Sequence, residues 1–214
     1  MEPLTLGIIG GILLGTSAIA GTKSDKSKVK EEVYNGVIAS LKDASQIPIP
    51  PIDQWVQVQL GDDTYLVSPR YLAPVGIGEA VRVARINNAE LPSPALVDAI
   101  WQAADLKLSP RPRGDSSKPP SDFTRATMNS PEAHIDQLAI ISKQIQDSDN
   151  PNYKLLAGTH KDVVMKDGKL GIYGWHQLNG KVIQGFMWGH AHNEDNPDLD
   201  WKDYSQGLRL VRKV

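Results

Sequence analysis

The last 60 residues of this 214-residue chain hold four of its five histidines and three of its five tryptophans, so its chemistry is sought there first. His160 and Asp162 stand two apart, which on a strand puts an imidazole and a carboxylate on the same face. That pairing suits a general base with an orienting acid, His160 as the base and Asp162 as its orienter or as a ligand. Tyr173, Trp175 and Gln184 follow, a phenol, an indole and an amide able to grip a sugar or peptide, with Tyr173 also a catalytic candidate. His190-Ala191-His192 supplies two imidazoles on one side of an extended segment. With Glu194, Asp195, Asp198, Asp200 and Asp203 it makes a local set that could bind zinc or calcium, or simply form a solvated acidic loop. Ser205 beside Asp203 has the residue types of a serine hydrolase but no G-x-S-x-G turn.

Two turns must position these groups. Asp167-Gly168 and Asn179-Gly180 favour two-residue hairpin bends, because both central positions need positive φ. They predict a three-stranded meander over 159–166, 169–178 and 181–189. Counting from the bends sets Asp162 opposite Tyr173, and Trp175 opposite both His160 and Gln184. One face then gathers His160, Asp162, Tyr173, Trp175 and Gln184 as a polar ligand surface. The other carries Val163, Met165, Leu170, Ile172, Ile183 and Met187, with His176 at its end, as the core side. The same count leaves His190 about six residues along the sheet from His160, roughly 20 Å at strand rise, so one ion cannot join them.

Upstream, Trp55 to Leu60 and Thr64 to Ser68 alternate as a hairpin about Gly61-Asp62-Asp63. Helices are expected over 77–87 and, capped by Ser93 with Pro94 at the first position, over 94–104 with Leu96, Val97, Ile100, Trp101 and Ala104 inward. Ser130-Pro131 opens another, with Ile135, Leu138, Ile141 and Ile145 on one side. The pattern predicts an α+β chain: an apolar glycine-patterned helix (1–22), an amphipathic helix (27–44), a small helical and hairpin module (52–106), a proline-rich linker (107–129), and a carboxyl-terminal antiparallel β-meander domain with a flanking helix (130–214).

The amino terminus decides where the rest resides. Leu4 to Ala20 is uncharged, and Gly7, Gly11 and Gly15 recur one helical turn apart, forming a smooth groove for close backbone packing. As a helix it spans roughly 25 Å, a short membrane crossing. Three readings stand: packing in a homo-oligomer or larger assembly, membrane contact through residues 4–20, or a signal cleaved after Ala18-Ile19-Ala20 to release a secreted protein. A net charge of −2 with no basic face argues against nucleic acid as a partner. Zero cysteines excludes disulfides, thiolate metal sites and a cysteine nucleophile.

The segments "HKDVVM", "IYGWHQLNGKVIQ" and "DYSQGLRLV", with "LPSPALVDAIWQAADLKLSP" before them, resemble a group of bacterial and phage proteins over residues 75–212. That group shows recurring forms like KKDVV, IYGWH and VDYSHGIRLV. The glycine-patterned start looks like that of some tailed-phage virion proteins. The resemblance implies a virion or cell-envelope location and a peptidoglycan-directed, hydrolase-like role. It singles out Asp162, Tyr173, Trp175, His176, Asp203, Tyr204 and Ser205, with Tyr204 a substrate contact. Gln206 stands where the group has histidine; were that histidine the general base, this copy would be inactive, since an amide cannot take up the proton. The rival expectation is a structural assembly protein without catalysis, such as a tail, baseplate or membrane-ring component.

Overall fold

The computed structural model describes residues 47, 49–72, 75–111, 130–188 and 203–214. The expected segments 1–22 and 27–44, and nearly all of the proline-rich stretch, lie outside them. The described residues form a mixed α+β fold, and no helix among them is long and apolar enough to cross a membrane.

Strands β1 (Val56–Leu60) and β2 (Asp63–Val67) make the expected hairpin about Gly61. Helix α1 (Ile77–Ile86) buries Ile77, Ala80, Val83 and Ala84 at helical spacing. Helix α2 (Pro94–Ala103) begins as its sequence implies. The Leu96 N–H donates to Ser93 Oγ at 3.1 Å, and Pro94 occupies a position that needs no N–H. Strand β3 (Leu106–Lys107) follows. Helix α3 (Pro131–Gln146) repeats the α2 device, with the Ala133 N–H donating to Ser130 Oγ at 3.2 Å. Its inward stripe differs from expectation: Ala133, His134, Gln137, Ile141 and Ile145 are buried, while Ile135 and Leu138 are half-buried. The helix is turned by what it packs on. Ile141 and Ile145 meet Leu106, Leu108 and Leu156, and Gln137 Nε2 donates to the Thr159 carbonyl at 3.1 Å.

Strand β4 (Leu156–Ala157) runs parallel to β3. A four-stranded sheet comprises β5 (Lys161–Lys166), β6 (Lys169–His176), β7 (Val182–Trp188) and β8 (Gln206–Gly207) in the order β7-β6-β5-β8, with β8 parallel to β5. Strand β9 (Val211–Lys213) leaves that neighbourhood and pairs with β2. One core cluster accordingly joins Trp55, Leu72 and α1 to Val163, Leu208 and Leu210. The 52–106 and 130–214 segments, expected as separate units, share this core and this sheet; the division exists along the chain and not in space.

The first bend of the meander has the counted register, Lys166 opposite Lys169 and Asp162 opposite Tyr173, with Asp167 and Gly168 at φ 50° and 73°. The second does not. The Gly180 N–H bonds the Gln177 carbonyl and the Gln177 N–H bonds the Lys181 carbonyl, each at 2.8 Å, so Leu178, Asn179 and Gly180 together form a three-residue turn. Gly180, at φ 84°, takes the left-handed place that such a turn requires. The pairing slips by one: Gly174, not Trp175, faces Gln184. Between Gln184 and Met187 the lost step is regained, and Ile172 faces Met187. The expected core face is covered only in part. Val163 and Ile172 are buried, whereas Met165, Ile183 and Met187 are more than a third exposed. Among the described residues β7 is an edge that pairs with β6 alone.

Candidate functional site

His160 and Asp162 do share an environment, but it is the interior. The part of the expected ligand face on β5 and β6 packs against α2, and Tyr71 packs beside both groups. The Tyr71 hydroxyl donates to Asp162 Oδ2 at 2.9 Å, and its ring centre is 4.9 Å from that of His160. The Arg209 guanidinium sits 4.2 Å over the Tyr71 ring, with Nε 3.5 Å from Asp162 Oδ1. It also donates to the Ser68 and Leu156 carbonyls at 2.8 and 2.7 Å. Gly207 permits this packing, because a Cβ there would approach His160 Cβ to 2.9 Å.

Arg209 is wholly buried and Asp162 is 1% exposed. Burial pushes the Asp162 carboxyl up to about 6, against the opposing pull of Arg209 and the Tyr71 hydroxyl. Burial, assisted by the charges of His134 and Arg209, holds His160 down at about 3. The ring is therefore neutral, with Nδ1 2.8 Å from Thr159 Oγ1. Such an imidazole is a weak proton acceptor at neutral pH, and His160 is almost wholly buried. The geometry gives His160 and Asp162 the work of holding the core together.

On the other side of β5, Lys161 Nζ lies 2.9 Å from Asp203 Oδ2, while Asp203 Oδ1 accepts from the Ser205 N–H and hydroxyl at 2.8 and 2.7 Å. Both oxygens of Asp203, expected as a metal ligand, are thus engaged within the protein. Ser205 donates to that carboxylate directly, so the serine-on-histidine arrangement of a hydrolase is not formed there. Trp175 also departs from its expected place beside His160. Left-handed backbone at Gly174 and Trp175, φ 107° and 60°, turns the indole to Lys161, whose Nζ is 5.6 Å from the ring centre. There it packs with Ala133 and Tyr204. Among the described residues, the Trp175 indole N–H and the side-chain carbonyls of Gln137 and Gln206 are buried without a hydrogen-bond partner. His190 and His192 lie outside the described residues, and among those described no group of three acidic or histidine side chains is placed to hold a metal.

Tyr173 and His176 instead converge on a residue the sequence did not single out. The Tyr173 hydroxyl donates to Asp98 on α2, 3.0 and 3.1 Å from its two oxygens, and His176 Nε2 is 2.8 Å from Oδ1. The His176 ring stacks on Trp101, with centres 5.1 Å apart and planes 10° off parallel. Burial and the Asp98 carboxylate push the Tyr173 phenol up to about 12. The Asp98 side chain is 49% exposed, so this carboxylate is held from beneath and open above. Gln184 is half-buried and donates to the carbonyl of its neighbour Gly185. Asp98 falls outside the apolar stripe of α2 and reads as a solvent-facing residue. A signal was nonetheless present: His176 ends an apolar row, where an imidazole needs a polar partner. Arg209 carried a similar signal, a cation inside the apolar run "GLRLV". Comparison with protein families, with curated proteins and with solved structures finds no match for this chain.

Proposed function

We propose that this chain is a virion- or envelope-associated protein whose carboxyl-terminal part is directed at peptidoglycan and works by binding glycan or peptide. The observation that carries the reading is the half-exposed Asp98 carboxylate, fixed by Tyr173 and His176, while His160 and Asp162 are buried and engaged internally. A preset carboxylate beside a phenol accepts hydrogen bonds from sugar hydroxyls or peptide amides at little ordering cost. The resemblance of the "HKDVVM", "IYGWH" and "DYSQGLRLV" segments to bacterial and phage proteins supports the envelope setting, and Gln206 in place of histidine supports binding over cleavage.

A second reading, a structural assembly component, is favoured by Met165, Ile183 and Met187, large apolar side chains exposed on the sheet. The test is co-sedimentation of the full chain with purified peptidoglycan sacculi, alongside assay of released soluble fragments and of particle mass. Retention without release is expected, weakened by Asp98→Ala and by Tyr173→Phe. Release of fragments would establish a hydrolase, and loss of retention with a stable high-mass particle would establish assembly.

A further inference from the structure

A cleft of about 750 Å³, away from the Asp98 cluster, opens between the Pro50–Val56 segment, the Pro69-Arg70 corner, the end of α3 and the bend at 151–154. Its volume falls in the range of small-molecule sites. Arg70 and Lys154 line it with Asp53, leaving one net positive charge among the described lining side chains. The Arg70 guanidinium hydrogen-bonds the Tyr153 hydroxyl. Trp55 and Tyr153 supply aromatic surface. Burial raises the Tyr153 phenol against the pull of the neighbouring Arg70 guanidinium, so the hydroxyl stays a neutral hydrogen-bonding group beside the cation.

The walls are fixed before any ligand arrives. The Trp55 indole N–H donates to the Pro50 carbonyl at 2.9 Å, and the Leu156 N–H donates to the Pro69 carbonyl at 2.9 Å. The Asp105 carboxylate accepts from the Lys154 and Leu155 N–H groups at 2.9 and 2.7 Å. Arg209 spans the two sides from within, donating to Ser68 beside the Pro69 corner and to Leu156 beyond the bend. A rigid, partly aromatic cleft with surplus positive charge is preorganised for a small anion.

We infer that this cleft binds a small monoanionic ligand through a carboxylate, gripped by Arg70 and Lys154, with its remaining body against Trp55 and Tyr153. One net charge matches a carboxylate, and Asp53 opposes a doubly charged phosphate. The carboxylate can belong to a sugar acid or to a peptide end; the guanidinium and ammonium contacts are the same. This inference does not rest on the Asp98 contact, and each can fail while the other stands.

The test is calorimetric titration of the full chain, carrying Asp98→Ala so that the proposed surface contact is silent, with N-acetylmuramic acid, with N-acetyl-dialanine, with neutral N-acetylglucosamine and with inorganic phosphate. Binding of at least one carboxylate probe is expected, with no binding of N-acetylglucosamine. Arg70→Gln and the exposed Lys154→Gln should each weaken it at least about tenfold at unchanged melting temperature. Whichever carboxylate binds identifies the source. No binding by either, equal binding of the neutral sugar, tighter binding of phosphate, or insensitivity to Lys154→Gln would overturn the inference.

Discussion

Replacing Arg209 by methionine removes the cation facing Asp162 while leaving a carboxylate only 1% exposed in place. Breaking a buried pair from one side costs about 3–5 kcal/mol, far more than the pair itself contributes, because the stranded carboxylate keeps its desolvation penalty. Chemical denaturation should show that loss for Arg209→Met, and adding Asp162→Leu should recover part of it. A loss under about 1 kcal/mol, below the buried-pair range, would mean that the cluster is not the interior tie described here. The same cluster sets an acid response. The folded His160 value, about 3, lies below its ordinary 6.5, so its contribution is complete above 6.5 and is lost as pH falls towards 3. Asp162 works the other way, its value raised from 3.8 to about 6, so its penalty above 6 is relieved between 6 and 3.8. The histidine displacement is the larger, so its acid loss outweighs the carboxyl's gain. Melting temperature measured from pH 7 to 4 should fall less steeply for His160→Asn than for the unaltered chain; parallel curves would show that the ring is not held neutral.

At the scale of elements, local signals were legible wherever one residue type satisfies one backbone need. Ser93-Pro94 and Ser130-Pro131 open helices where expected, and Asp167-Gly168 makes the counted bend. The second bend was legible in place but not in length, because a glycine that accepts positive φ serves a three-residue turn as well as a two-residue one. The slipped register and the left-handed backbone at Trp175 then moved the indole to another side of the sheet, and no residue type announces that. Burial of the presumed ligand face was hidden for a different reason, since α2 reaches it from more than fifty residues away. These turns yield a ranked prediction. Gly180→Ala pays mainly for φ 84°, about 1–2 kcal/mol. Gly174→Ala should cost more, combining φ 107° with a Cβ only 3.2 Å from Val97 Cγ1. Urea midpoints of the two variants test the order; a smaller loss at Gly174 would mean that α2 is not seated tightly on β6.

Residues 211–213 tie the described parts of the fold together. Val211 to Lys213 pair with Val67 to Tyr65, the Glu90 N–H bonds the Val211 carbonyl at 2.8 Å, and the Arg212 guanidinium donates to the Asn87 and Asn88 carbonyls at 2.9 Å each. Leu208 and Leu210 enter the core that Trp55, Leu72 and α1 build, while Trp101 and Asp98 of α2 hold His176. A carboxyl-terminal piece cut at residue 130 would keep the meander but expose the apolar surface that these partners cover, and a sheet without that cover has little to offset its conformational entropy. The isolated 130–214 fragment should therefore show no cooperative urea transition, and adding a 47–111 fragment should restore one. Deleting residues 211–214 from the full chain should lower its midpoint markedly, since β2 loses its outer partner and the core loses Val211. A fragment 130–214 that unfolds in a single sharp transition by itself would divide the molecule where the sequence suggested. Assays of binding or cleavage would then be meaningful on that fragment; with a shared core, they require the whole chain.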